Sequence, residues 1–401
     1  MSSSAASWLF RLRLGLRRFP LAHQPLRWVN RIVRPRVRKS FCDIARNVIP
    51  ASVKWGLPKG YSSDYERLQL VPAEGRIVLT DQGSPELPKP SIMLLCKRNQ
   101  HLEQPWPIFW SRHRKARLVG TSLAHLNGNK QMSVEAGYGR RRVFSDPAYN
   151  YFVVSPPVCL SGAWTSLVSN WWSNDRPPPY AHWLLDALPR LAVLSEFPAS
   201  TRILIPAHKL PYVTQSLEML RLVDRCRHTP ERHLEIEDYY FSSPTSMIVC
   251  YNPYAVEFLR RSFLPLAREN SALPKRFFIR RTSYGRNMVN EQEVLDFFRK
   301  LGWAIVDTGQ MSFLEQIQLF AGAEAIAAVH GSSTANMVWC SRGCKVLELF
   351  ASSYTAGDQE WIAQCVHVEY HFMIFPSDHK LNALIDLQSI GQKLRQMGLK
   401  L

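Results

Sequence analysis

From residue 276 to residue 350 the chain alternates short apolar runs with amphipathic helical ones so regularly that few folds remain open to it. Phe277 to Ile279 reads as a strand, and Glu291 to Leu301 as a helix with Val294, Phe298 and Leu301 on one face. Gly302 stops that helix and Trp303 to Val306 is a second strand. Ser312 and Glu315 form an S-x-x-E capping box ahead of a helix carrying Ile317, Phe320 and Ala321. Ala325 to Val329 is a third strand, residues 330–334 a turn, Ala335 to Cys340 a short helix and Val346 to Phe350 a fourth strand. Such a βαβαβαβ run implies a parallel sheet with right-handed crossovers. Ligands of such sheets bind outside the carboxyl ends of the strands.

Two features fall at those ends. Arg280 and Arg281 follow the first strand, and His330, Gly331, Ser332, Ser333 and Thr334 follow the third. A glycine and three hydroxyl residues opening a helix offer free N–H groups and the positive end of a helix dipole, which suits a diphosphate. Adjacent arginines pair bidentately with phosphate oxygens, and His330 adds a donor. Glu348, between Leu347 and Leu349, either points into the site toward ribose hydroxyls or faces solvent on the strand's two-residue period. The turn is neither a P-loop nor a G-x-G-x-x-G, so kinase and nicotinamide readings have no motif. Without a ligand, the turn would simply cap a helix and the arginines would be a solvated pair.

Upstream, Trp171 and Trp172 lie in a loop with Asn174 and Asp175, and Pro177 to Pro179 precede a helical pattern starting at Tyr180. In that helix Trp183, Leu184, Ala187, Leu188 and Leu191 face inward, while His182, Asp186 and Arg190 recur every four residues along one side. The row offers a general base, its orienting partner and an anion contact, or else an ordinary ladder fastening the helix to its neighbours. Arg202 to Ile205 reads as a strand, Pro211 to Leu222 as a helix and Ser246 to Cys250 as a strand. Residues 41–150 show strand-like runs, Arg76 to Thr80 and Ser91 to Leu95 among them, and Tyr151 to Val154 is another.

The chain has 401 residues, 46% hydrophobic and 20% charged, a composition for two or three globular domains and not for a disordered chain. Of its +18 net charge, ten basic residues lie between Met1 and Lys39 with no acidic one, leaving 18 − 10 = +8 for the remainder. In the first segment Leu9, Leu12, Leu16 and Phe19 share a helical face among arginines, the pattern of a membrane-surface helix, of a transit peptide or of a basic leader without a partner. No signal-peptide core and no apolar run of membrane-spanning length is present in the sequence. The eight cysteines are scattered without zinc spacing and read as reduced, mostly buried thiols. Nucleic-acid binding has no motif to support it.

Taken together, residues 180–190 (Tyr-Ala-His-Trp-Leu-Leu-Asp-Ala-Leu-Pro-Arg), Arg280-Arg281 with Asn290, Glu291, Glu293 and Val294, then Ser312, Phe313, Glu315 and Gln316, then His330-Gly331 and residues 346–349 resemble glycosyltransferase family 61, in its capsular polysaccharide biosynthesis-like branch. The resemblance covers roughly residues 175–350. It implies an α/β fold of GT-B type, with two Rossmann-like domains of parallel sheets facing a cleft. It also implies inverting transfer from a nucleotide sugar, UDP-linked in many relatives, to an oligosaccharide or lipid-linked glycan hydroxyl, without a metal or other cofactor.

On this resemblance residues 41–265 form the acceptor-side domain, 266–376 the donor domain and 377–401 a terminal helix, after a basic tail at 1–40. Arg190, Arg280, Arg281, His330, Gly331, Ser332, Ser333, Thr334, Asn336 and Glu348 are the donor-binding candidates. Trp171, Trp172, Asn174, Asp175 and Tyr180 would contact the acceptor. His182 is the favoured base with Asp186 orienting it, and the reversed roles remain open. The missing signal core places the enzyme in the cytoplasm, peripheral on the inner membrane face. One departure stands out: where the family reads His-Gly-Ala-Gly-Leu-Thr-Asn this chain has Ser333 for the second glycine. Either the serine weakens donor binding, leaving a glycan-binding or membrane assembly protein, or its hydroxyl replaces backbone contacts.

Overall fold

The computed structural model describes residues 108–119, 123–126, 156–168, 177–247, 250–268, 270–281, 285–378 and 381–400, with the backbone of short strands at 61–62, 75–79 and 132–133. The basic N-terminal segment, the runs at 91–95 and 151–154, and Trp171, Trp172, Asn174 and Asp175 lie outside the described residues.

The first sheet is built from β1 (Tyr61–Ser62), β2 (Gly75–Leu79), β3 (Ile108–Val119), β4 (Ala124–Leu126), β5 (Met132–Ser133), β6 (Val158–Ser166), β7 (Arg202–Pro206), β8 (Cys226–Thr229) and β9 (His233–Ser242). Its order is β1-β5-β4-β3-β9-β6-β7-β8, with β2 also on β3. The expected parallel sheet is corrected here to a mixed one. β9 pairs antiparallel with β3 on one side and parallel with β6 on the other. Across the antiparallel β3–β9 ladder Arg117 faces Glu235 with an ion pair of 2.8 Å, and Arg112 reaches Asp238 diagonally at 2.8 Å. Beyond β9 the strands β6, β7 and β8 continue in parallel, and α1 (Pro211–Met219) connects β7 to β8. A small antiparallel pair, β10 (Ser246–Met247) and β11 (Cys250–Tyr251), precedes α2 (Pro253–Phe263), where a single strand had been expected.

The second sheet follows the sequence pattern through four strands and adds a fifth, at 369–375, that the pattern did not reveal. It contains β12 (Arg276–Ile279), β13 (Ala304–Val306), β14 (Ala325–Val329), β15 (Lys345–Ala351) and β16 (Glu369–Phe375), all parallel, in the order β13-β12-β14-β15-β16. The helices are α3 (Glu291–Lys300), α4 (Phe313–Ala321), α5 (Asp358–Val366) and α6 (Leu387–Gln396). Gly302, at φ 75°, ends α3 as expected: the Trp303 N–H reaches the Phe298 carbonyl at 3.0 Å. The Ser312–Glu315 capping box opens α4.

Side chains alternate across this sheet, which sets what each face packs against. Phe277 and Ile279 of β12, Ile326 and Ala328 of β14 and Val346 of β15 meet Phe320 of α4 and Trp361 of α5. Phe278, Ala327, Leu347 and Leu349 meet Phe298 of α3 and Leu394 of α6. The first of these clusters also takes in Trp183, Ile203, Leu217 and Phe263 from the N-terminal half. Phe263, Phe313 and Trp339 pack edge to face within it, with ring centroids 5.4 to 6.1 Å apart. Each such ring contributes on the order of 1.5–3 kcal/mol through burial, so the segments around residue 180 are joined to the second sheet through core. Among the described residues the cysteines are less uniformly buried than expected: Cys340 and Cys344 are buried, Cys226 and Cys365 half-buried and Cys159 exposed, and these five are free thiols.

Candidate functional site

Because β12 lies between β13 and β14, the chain leaves it first to one side and then to the other, and the strand order reverses at its carboxyl end. The two arginines that follow β12 have different partners. Arg280 is exposed and its guanidinium donates to both oxygens of Glu291, at 3.1 and 3.3 Å, in the first turn of α3. Arg281 is half-buried: its Nε donates to the Gly285 carbonyl at 2.9 Å and its Nη1 to the His330 carbonyl at 3.2 Å. Burial, reinforced by the neighbouring charge of Arg286 and opposed by Tyr354, pushes the Arg281 guanidinium down to about 10. Arg286 lies 4.9 Å over the Tyr354 ring. The cationic cluster at the strand end is thus Arg281 with Arg286, a residue the sequence pattern did not single out.

Gly331 makes room for that cluster. Its φ of 178° is open to any residue, but a Cβ there would lie 2.2 Å from Nη1 of Arg281. Ser332 and Ser333 open a 3-10 helix, Ser332–Trp339, so their N–H groups stand at a helix start. Ser333 is not among the residues at positive φ, which removes the conformational reason for a glycine at its position. Its Oγ accepts a hydrogen bond from Thr308 at 2.9 Å.

Beneath the turn sits a buried polar group. Glu348 is fully inaccessible on β15 and faces neither solvent nor an open ribose site. One oxygen lies 3.0 Å from His330 Nδ1 and 3.0 Å from Thr334 Oγ1, and the other accepts the Tyr370 hydroxyl at 2.5 Å. Burial, with the Glu348 charge, drives the Tyr370 phenol far above its usual range, so it stays a donor. The His330 ring stacks on Phe350 with centroids 4.8 Å apart. His330, Thr334 and Glu348 therefore shape the turn from below.

The second cluster lies on residues 180–196. Pro179 precedes them in an extended conformation, and Pro189 removes an N–H from within the run. The winding adapts: an α-turn at Tyr180–His182, a π-turn at Trp183–Ala187 and a 3-10 helix at Leu188–Glu196. His182 Nδ1 is 2.5 Å from Asp186 Oδ2, and Ser246 of β10 donates to Asp186 Oδ1. Burial opposes the imidazolium most strongly, but the hydrogen bond and charge of Asp186, with Asp358 beyond, together raise His182 above its ordinary value of 6.5.

The row does not extend to Arg190. Its buried guanidinium donates to the carbonyls of Val168 at 3.1 Å and Ser242 at 2.8 Å, and so ties the helical segment to the first sheet. Arg190 is corrected from donor contact to internal brace, because the change of winding turns it into the core. Trp183 is likewise core, its Nε1 donating to Ser216.

Tyr180 and Asn336 join the two clusters. The Tyr180 hydroxyl donates to Asn336 Oδ1 at 2.6 Å, as does Trp339 Nε1 at 3.1 Å, and Asn336 Nδ2 donates to Gln316 at 2.9 Å and to the Ser333 carbonyl at 3.1 Å. Neither side chain presents a polar group for a ligand, so Tyr180 as acceptor contact and Asn336 as donor contact are both corrected to this junction. Asp358, opening α5, feels the charges of His330 and Glu348, and burial raises its carboxyl above the ordinary range. The signal that finds it is its position: an acidic first turn directly after the fourth strand. A separate open groove of about 430 Å³, lined in part by Val256, Arg260, Leu264 and Cys365, shares none of these residues.

Residues 180–347 match the Glycosyltransferase 61 family. The match starts at the Tyr180 helical segment and ends on β15, so it takes in His182, Asp186, Arg281, Arg286 and the 330–334 turn but stops short of Glu348, Asp358 and Tyr370, and the activity the family implies is glycosyl transfer. No curated protein matches the chain. Among the described residues no helix is long and apolar enough to cross a membrane, and no three His, Cys, Asp or Glu side chains converge as a metal-binding group.

Proposed function

We propose that this glycosyltransferase 61 chain is an inverting enzyme of GT-B type that moves a sugar from a nucleotide diphosphate donor, UDP-linked, to a glycan hydroxyl. The observation that carries the reading is the strand-order reversal at β12. There Arg281, with Arg286 beside it, is held against the His330 carbonyl at the start of the 332–339 helix.

In this reading the acceptor oxygen attacks the anomeric carbon in one displacement, and the bond from that carbon to the diphosphate oxygen breaks. His182 takes the acceptor proton. Asp186 accepts from its Nδ1, fixes the tautomer and stabilises the imidazolium. Asp186 is buried and already engaged by Ser246, which favours it as the orienting partner and not the base. The leaving diphosphate is stabilised by Arg281, Arg286 and the N–H groups of Ser332 and Ser333, with no resident metal required. Trp171, Trp172, Asn174 and Asp175 remain the proposed acceptor contacts. The rival reading, a fold retained without donor binding, loses its main support because Ser333 occupies an unstrained backbone.

The basic N-terminal segment supports a separable proposal: attachment to the anionic inner face of a membrane from the cytoplasm, each basic side chain contributing about 1 kcal/mol. Thermal-shift and calorimetric titration with UDP, GDP and CMP test the donor site. Stabilisation by one nucleotide, lost in Arg281→Ala, is the expected result. Equal response of the variant and the unaltered protein would refute it.

A further inference from the structure

The ladder between β15 and β16 fixes which backbone groups the edge of the second sheet presents. The Glu369 N–H donates to the Cys344 carbonyl at 2.9 Å, and the Phe375 carbonyl accepts from the Ser352 N–H at 2.8 Å. In a strand the N–H and carbonyl of one residue lie on the same side, and successive residues alternate sides. Glu369, His371, Met373 and Phe375 therefore bond inward to β15. The backbone groups of Tyr370, Phe372 and Ile374 point away from the sheet, and none has a partner among the described residues.

This edge lacks the usual protections of short length, basic side chains, proline or a bulge. β16 has seven residues, Glu-Tyr-His-Phe-Met-Ile-Phe, with no lysine, arginine or proline, and its ladder to β15 is regular throughout. The other sheet edges among the described residues are shorter or basic. β1 and β13 have two and three residues, β2 carries Arg76 and β8 carries Arg227. Ile374 is 49% exposed, so an apolar side chain stands in water where the strand is open.

We infer that β16 pairs antiparallel with β16 of a second copy of this chain, in a two-fold dimer with one continuous sheet. The strand's own sequence selects that occupant and its register. With Phe372 on the axis, every outward residue forms a hydrogen-bonded pair: Phe372 with Phe372, and Tyr370 with Ile374 in both directions. An axis at His371 would set Ile374 opposite Val368, whose N–H is already given to Ala363. An axis at Met373 would set Tyr370 opposite Pro376, which has no N–H. In the Phe372 register Glu369 faces Phe375 at each end, so no like charges oppose each other. In a chain of net charge +18, the strand brings no lysine or arginine to the axis.

Sedimentation equilibrium on the full chain tests this. An edge-strand pair is a small interface, so the expected dimer dissociates at about 1–100 μM. Ile374→Pro removes an outward N–H from each copy and leaves every bond to β15, and its side chain is exposed. The variant keeps its melting temperature in dilute solution, and its dissociation constant rises by about tenfold or more. Phe372→Lys and Phe372→Glu set like charges on the axis, so each alone is a monomer, and mixing the two restores a dimer. A full chain that stays monomeric up to about 200 μM overturns the inference. A dimer of unchanged affinity in Ile374→Pro also overturns it, because association then uses another surface. A dimer that forms only after residues 1–40 are removed overturns it too, because the chain's own N-terminal segment is then what covers the edge.

Discussion

Replacing Gly331 by alanine isolates the contact on which the proposed donor site depends. The backbone tolerates the change, since φ is 178°, so any effect comes from space alone. The new methyl would stand 2.2 Å from Arg281 Nη1, whereas favourable contacts between heavy atoms begin near 3.5 Å. The guanidinium must retreat by more than about 1 Å. Its 3.2 Å bond to the His330 carbonyl then exceeds hydrogen-bonding reach. A hydrogen bond from a charged donor contributes about 1.5–3 kcal/mol, which corresponds to about 10- to 150-fold in an equilibrium constant. If the same nitrogen meets the diphosphate, UDP affinity falls by that factor in Gly331→Ala and by a similar one in Arg281→Ala.

The double variant carries the decisive information. With Arg281 already removed, the methyl at 331 has nothing to displace, so Gly331→Ala costs at most about twofold more. Isothermal titration with UDP at low ionic strength measures all four corners of the cycle. Losses that multiply would show that the methyl acts on the ligand or the turn and not through Arg281. Near-normal affinity in Gly331→Ala would falsify the placement of Arg281 at the diphosphate.

Asp186→Asn removes the hydrogen bond and charge that raise His182, so turnover drops by about 10²-fold or more with KM less affected. The rising limb of the pH–rate profile moves to lower pH, because a base of lower pKa is free at lower pH; an unmoved limb would exclude His182. In stability terms a raised imidazole contributes most below its unfolded value of 6.5 and loses that contribution as pH rises through the folded value. Urea unfolding should therefore show Asp186→Asn most destabilised below pH 6.5, relative to the unaltered protein. Glu348→Gln leaves His330, Thr334 and Tyr370 with a weaker acceptor; the expected loss in denaturant unfolding is about 1.5–3 kcal/mol. Arg190→Met orphans two buried carbonyls and lowers the melting temperature, while UDP affinity stays within about twofold; a selective loss of affinity would return Arg190 to the donor site.

Sequence periodicity located the first four strands of the second sheet because each is short and apolar, whereas β16, which opens on Glu369, Tyr370 and His371, escaped it. The Gly302 stop and the Ser312 capping box are local devices whose geometry depends on neighbours a few residues away. The first sheet was harder to read because its register depends on pairing over long separations, Arg117 with Glu235 for example. Within the site, His182 and Asp186 were legible as an i,i+4 pair, but Ser246, which completes them, lies 60 residues on. Arg190 followed the same spacing and failed, since helical periodicity assumes 3.6 residues per turn and the π-turn at Trp183–Ala187 breaks that assumption. Arg281 and Arg286 illustrate the converse case. The adjacent pair Arg280-Arg281 looked like the cluster, yet neighbours after a strand point to opposite faces, and a residue five positions on supplies the second charge.

Asn336 shows how these separate pieces become one site. Its two donors and two accepting lone pairs are all used, binding Tyr180 and Trp339 through one atom and Gln316 and the Ser333 carbonyl through the other. Tyr180 is two residues from His182, and Ser333 belongs to the turn that faces Arg281. A single buried amide therefore fixes His182 relative to the 330–334 turn, and the aromatic contacts of Phe263, Phe313 and Trp339 support it from within the core. Any hinge that separated the two at this point would orphan buried polar groups at about 1–3 kcal/mol each and open the core behind them. The proposed base and the proposed leaving-group site are thus held in register before any substrate arrives.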